Sequence, residues 1–161
     1  MLIRLFGAAA LLGFALFTAR HLERLYRTRI LQLEGFLLLL RTTREKILAF
    51  GTPTPEIFSV FRHDALEEAG FLPTLREEGM AAALRAARER LYLDDGEMAP
   101  LLDFAASLGR SFAAEEATRC DVTIAAVERA LAARSAAEKD AAKLSRTLVL
   151  GASLAFILVL L

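Results

Sequence analysis

The chain has no tryptophan, one cysteine, two histidines and four prolines among 161 residues. Each scarcity excludes something. A lone Cys120 cannot close an internal disulfide. One cysteine and two histidines are too few for a His/Cys metal cluster. With no tryptophan and two tyrosines, the chain offers little for stacking a ligand. Twenty basic and twenty acidic side chains cancel to a net charge of zero, so nothing marks nucleic acid as a partner. The recognisable phosphate, cofactor and nucleophile signatures are missing: no GxxxxGK, GxGxxG, HExxH, CxxC or GxSxG. Neither His21 nor His63 has a nearby serine or cysteine arranged as a base–nucleophile pair. The carboxylate pairs Glu67/Glu68, Glu77/Glu78, Asp94/Asp95 and Glu115/Glu116 are adjacent in the chain. Helical neighbours point about 100° apart, so these pairs read as solvated faces and not as acid/base sites. The expectation is a protein that is not an enzyme, with no catalytic, cofactor-binding or metal-binding residues.

What the chain does have is two greasy ends. Leu5–Ala19 and Thr147–Leu161 carry no charge, and the mean hydropathy of the whole is +0.41. Fifteen helical residues rise about 22 Å, short of a hydrocarbon core of roughly 30 Å. Counting from Met1 with Arg4 snorkelling outward gives about 28 Å, and counting from Leu144 with Arg146 reaching back gives about 27 Å. Both are expected to span a bilayer. A cleaved signal peptide is the alternative for the first, and the segment before Arg20 lacks a good small-x-small cleavage site because Phe17 occupies the outer position. The expected organisation is a transmembrane helix over 1–19, a cytoplasmic helical bundle over 20–146 and a transmembrane helix over 147–161. Arg20, Arg24, Arg27 and Arg29 follow the first run, and Lys139, Lys143 and Arg146 precede the second. The positive-inside rule therefore puts the middle of the chain in the cytoplasm.

Charge is unevenly spread between those ends. Residues 20–46 hold seven basic and three acidic groups, residues 47–118 six and thirteen, and residues 119–146 six and four. Basic stems suit an anionic lipid surface. The acidic middle either faces a basic partner or keeps the domain soluble.

Almost everything reads as helix, giving an all-α fold class. The first helix continues to Gly51, with Phe36–Leu40 apolar all round and so central to the bundle. Thr52-Pro53-Thr54-Pro55-Glu56 breaks it, with Thr54 expected as N-cap and Pro55 at N1. Short helices are expected near 64–69 and 73–78, then Met80–Leu91, a turn at 94–97, and Met98–Leu108. Gly109 is expected as a left-handed C-cap and Ser111 as the cap of the last helix. That helix carries Ala117, Cys120, Ile124, Val127 and Leu131 at 3-4-3-4 spacing, a packing seam in which Cys120 reads as a small core residue.

The arrangement resembles the stage III sporulation protein AB family. The likeness lies in Gly7-Ala8, Gly13-Phe14 and Ala19 in the first apolar run, and in Thr43-Arg44-Glu45-Lys46-Ile47 followed by Thr52-Pro53 and Glu56. It continues in Phe104 with Leu108-Gly109, and in Lys143-Leu144 with Leu148 and Gly151. The chain departs from the family in having no proline in Tyr26-Arg27-Thr28-Arg29, Phe112 in place of a capping aspartate, and a loosely matching stretch over 57–97. The resemblance implies a membrane platform subunit of the export apparatus between mother cell and forespore, in the mother-cell membrane. Its soluble part would be similar in fold to the cytoplasmic helical domains of the type II secretion platform protein. It would dock a cytoplasmic ATPase, stage III sporulation protein AA.

On that basis the candidate partners are membrane lipid, the ATPase, other membrane subunits and a second copy of the chain. The candidate partner-binding residues are Glu45, Thr52, Pro53, Glu56, Glu77, Glu78, Gly109 and Arg110. Each also has a purely structural role available, as helix break, cap or solvated face. The alternative function is a doubly membrane-anchored helical scaffold or sensor of unknown partner.

Overall fold

The computed structural model describes residues 2–110 and 112–160, with side chains described for Arg20, residues 24–110 and residues 112–139. Seven α-helices follow one another among these residues: α1 Leu2–Phe50, α2 Thr54–Val60, α3 Asp64–Glu68, α4 Phe71–Glu78, α5 Met80–Ala86, α6 Asp95–Ser107 and α7 Ala113–Leu160. No strand occurs among them, so the fold is all-α as expected. Contacts divide the chain into two compact units, one of residues 1–27 with 133–161 and one of residues 28–132. These are limits of compactness, distinct from the expected membrane boundaries at 19/20 and 146/147. The side chains of both apolar runs, of His21 and of Ser111 with its capping role lie outside the described residues. Among the described residues no helix is long and apolar enough to cross a membrane.

The second unit is built around the C-terminal half of α1. Leu33, Phe36, Leu37, Leu39, Leu40 and Ile47 are buried, and Phe36 meets Phe71 of α4 edge to face with ring centroids 5.0 Å apart. That geometry adds to the area the rings bury. Leu38 departs from the expectation of an all-round apolar turn: it is 48% exposed.

Several boundaries move. Thr54 makes no capping hydrogen bond; the Pro53 carbonyl opens α2 instead, accepting from the Glu56 and Ile57 N–H groups. α4 begins at Phe71 and takes Pro73 into its first turn, where the missing N–H would have had no helical partner. α5 stops at Ala86 and tightens into turns through Leu91. α6 begins three residues before Met98. Asp94 accepts from the Glu97 N–H at 3.0 Å, and Glu97 accepts from the Asp94 N–H at 3.0 Å, a reciprocal capping box. Pro100 then lies inside the helix.

Gly35 shows how closely the short helices approach α1. A Cβ there would lie 2.7 Å from His63 Nδ1 and 2.9 Å from Leu66 Cγ. His63 joins two elements here. It is the N-cap residue of α3, its carbonyl accepts from the Leu66 and Glu67 N–H groups, and its ring lies on the α1 backbone. Gly35→Ala is expected to cost about 1–3 kcal/mol by overpacking, against a helix-propensity gain of about 1 kcal/mol. Adding His63→Ala recovers part of the loss, leaving a coupling of at least about 0.5 kcal/mol in urea unfolding. Strict additivity of the two variants would refute the contact.

Candidate functional site

The residues expected to meet partners sit at helix junctions. At the α1–α2 junction Gly51 has φ 60°, and its N–H donates to the Ile47 carbonyl at 3.0 Å, a left-handed cap. Thr52 is half-buried, while Glu45, Pro53 and Glu56 are exposed. At the α6–α7 junction Gly109 adopts φ 78° as expected, and the Leu108 N–H closes α6 on the Phe104 carbonyl at 3.0 Å. Arg110 is exposed; its backbone N–H donates to Glu116 Oε1 at 3.1 Å, while the Phe112 carbonyl opens α7 by accepting from Glu115 and Glu116.

Two ion pairs bring these junctions to one end of the second unit. Arg41 pairs with Glu128 and Arg44 with Asp121, so α7 runs antiparallel to α1 and its first turns flank the end of α1. Glu45, Thr52, Pro53, Glu56, Gly109 and Arg110 belong to this end. Sequence reasoning missed two of its residues: Phe50 is 78% exposed and Phe112 90%. The signal for Phe112 was present, since it stands where the family's capping aspartate was expected.

Glu77 and Glu78 stand elsewhere. They close α4, where Arg76 pairs with Glu67 and reaches the Phe61 carbonyl beyond the far end of α2. Both are exposed, and neither forms an ion pair or hydrogen bond among the described residues.

Two buried polar side chains of the bundle, Glu97 and Gln32, have structural partners. Glu97 Oε2 accepts from Arg29 Nη2 at 2.6 Å and from Arg29 Nε at 3.0 Å, and Asp94 lies 2.9 Å from the same guanidinium. Gln32, also buried, donates to the Arg90 carbonyl at 3.0 Å and accepts from the Tyr92 N–H at 2.9 Å. Together they fasten the α5–α6 loop to α1. Glu97→Ala removes the nearer and more buried of the two carboxylates on a guanidinium that is only 19% exposed, and half of a capping box. It is expected to cost about 3 kcal/mol in chemical denaturation, more than Asp94→Ala at about 1 kcal/mol. Equal losses would show that the buried Glu97 carboxylate carries no more of the junction than the half-exposed Asp94.

Ala117, Cys120, Ile124 and Val127 are buried along α7 and Leu131 packs against them, which is the expected seam. Burial, helped by the carboxylates of Glu116 and Asp121, pushes the Cys120 thiol up from 9.0 to about 11. Among the described residues no three of histidine, cysteine, aspartate and glutamate gather in metal-binding geometry. The folded thiol keeps its proton where the unfolded one has lost it, so its contribution is full below pH 9 and falls as pH rises from there to about 11. Urea midpoints of the wild type should fall across that window relative to Cys120→Ala. Parallel curves would mean the thiol titrates normally.

Fold and surface together define an all-helical protein whose exposed candidate residues cluster at the junctions between helices. Over residues 4–161 the chain matches the family model described as stage III sporulation protein AB. It belongs to that family, and its role lies in stage III of sporulation. No curated protein and no solved structure matches it.

Proposed function

We propose that the chain is a non-catalytic platform subunit of the export apparatus between mother cell and forespore. Its two apolar ends hold it in the mother-cell membrane, its bundle lies in the cytoplasm, and the bundle docks the apparatus ATPase, stage III sporulation protein AA. Family membership supports the sporulation role. The uncharged runs Leu5–Ala19 and Thr147–Leu161, flanked on their inner sides by arginine and lysine, support the anchoring and its direction. The absence of any catalytic motif from the sequence supports a docking role.

The observation that carries the docking surface is the acidic pair at the end of α4. Glu77 and Glu78 are exposed and unpaired among the described residues, and so are Glu68 and Glu89 nearby in the sequence. By contrast, Glu67 is already held by Arg76. Unpaired, solvated carboxylates keep their field available to steer a basic partner. With the full chain in lipid nanodiscs, Glu77→Lys with Glu78→Lys should weaken ATPase binding by about tenfold or more and flatten its salt dependence. The helical circular dichroism should not change. Normal binding by the folded variant would remove this face as the dock and leave a doubly anchored scaffold of unknown partner.

A further inference from the structure

The arginines of the second unit are mostly committed. Arg29, Arg41, Arg44, Arg76, Arg88 and Arg119 each pair with a carboxylate. The stem of α1 differs. Arg20, Arg24 and Arg27 on α1 are all exposed, and none forms an ion pair or hydrogen bond among the described residues. Their spacing of four and then three keeps them within an arc of about 60° on the helix, over an axial rise of about 10 Å. They directly follow the uncharged run Leu5–Ala19 on the same unbroken helix. The contrast with Arg29 is sharp: two residues beyond Arg27, on a different face of α1, it turns to Glu97 and Asp94.

We propose that Arg20, Arg24 and Arg27 form a headgroup-binding stripe that selects anionic phospholipid. The inference rests on the membrane-anchored reading and names the lipid class that the anchored stem recognises. Three guanidiniums on one face present forked donors to phosphate oxygens, which a point charge does not. A stripe about 10 Å long is comparable to the Debye length of about 8 Å at physiological salt, so all three groups lie within reach of a charged leaflet. Each basic group near such a surface contributes about fivefold to partition, and three together about a hundredfold.

The test uses the full chain in nanodiscs made of equal parts phosphatidylcholine and phosphatidylglycerol, with the retained lipids read by native mass spectrometry. The wild type should keep phosphatidylglycerol at least about fivefold over phosphatidylcholine. Arg20→Gln with Arg24→Gln and Arg27→Gln should lose that preference while remaining in the disc. The matching lysine triple should keep part of it, and Arg41→Gln with Arg129→Gln, basic residues of the second unit, should keep it all. Equal retention of both lipids by the wild type, or a preference surviving the glutamine triple, would overturn the stripe while leaving the anchoring intact. A chain that leaves the discs altogether would overturn the anchoring and the stripe with it.

Discussion

The bundle hangs on one shared carboxylate. Glu97 caps α6 through the Asp94 N–H and holds Arg29 of α1 with the same oxygen. Isolated five- to eight-residue helices such as α2 to α5 are below the length at which helices persist in water. They persist by packing on one another and, through α3 and α4, on α1, and packing is non-directional. The Glu97–Arg29 pair and the two hydrogen bonds of Gln32 to the 90–92 backbone supply the direction. Buried ion pairs add little net stability but penalise wrong arrangements, because any other docking strands a guanidinium without its partner.

With the α5–α6 loop fixed on one side of α1, α7 closes another. Ala117, Cys120, Ile124 and Val127 enter the core while Arg41–Glu128 and Arg44–Asp121 set the antiparallel register from outside. These outer pairs are exposed and contribute little energy each. Their consequence is geometric: the α1–α2 and α6–α7 junctions come to one end. Phe50 and Phe112 are exposed there, beside the backbone turns at Gly51 and Gly109. The acidic close of α4 is a separate surface, so the proposed docking face does not draw on all the candidate residues together.

Arginine divides the chain by use. Within the second unit it mostly builds ion pairs, and in the α1 stem it is exposed and unpaired among the described residues. The same residue type therefore serves specificity of packing in one unit and, in the proposed function, contact with lipid in the other. Net charge near zero hides this division, and a whole-chain average would have suggested no electrostatic role at all.

Features set by local backbone chemistry were legible in the sequence. Gly51 and Gly109 take positive φ because the helix ends there and only glycine does so without strain. The α7 seam followed from spacing, and the family followed from the order of short motifs along nearly the whole chain. The start of α6 was misread because Asp94-Asp95-Gly96-Glu97 satisfies both a turn and a capping box, and the choice falls to Arg29, 68 residues away. Thr54 was misread by one residue because the Pro53 carbonyl satisfied the N–H groups its side chain would have taken. Gln32, the Gly35–His63 approach and the exposed face of Leu38 were decided by tertiary structure alone. Helix caps and periodicity depend on neighbours within a turn, which a sequence displays. Which face of α1 is covered, and by what, depends on residues brought together only when the chain has folded.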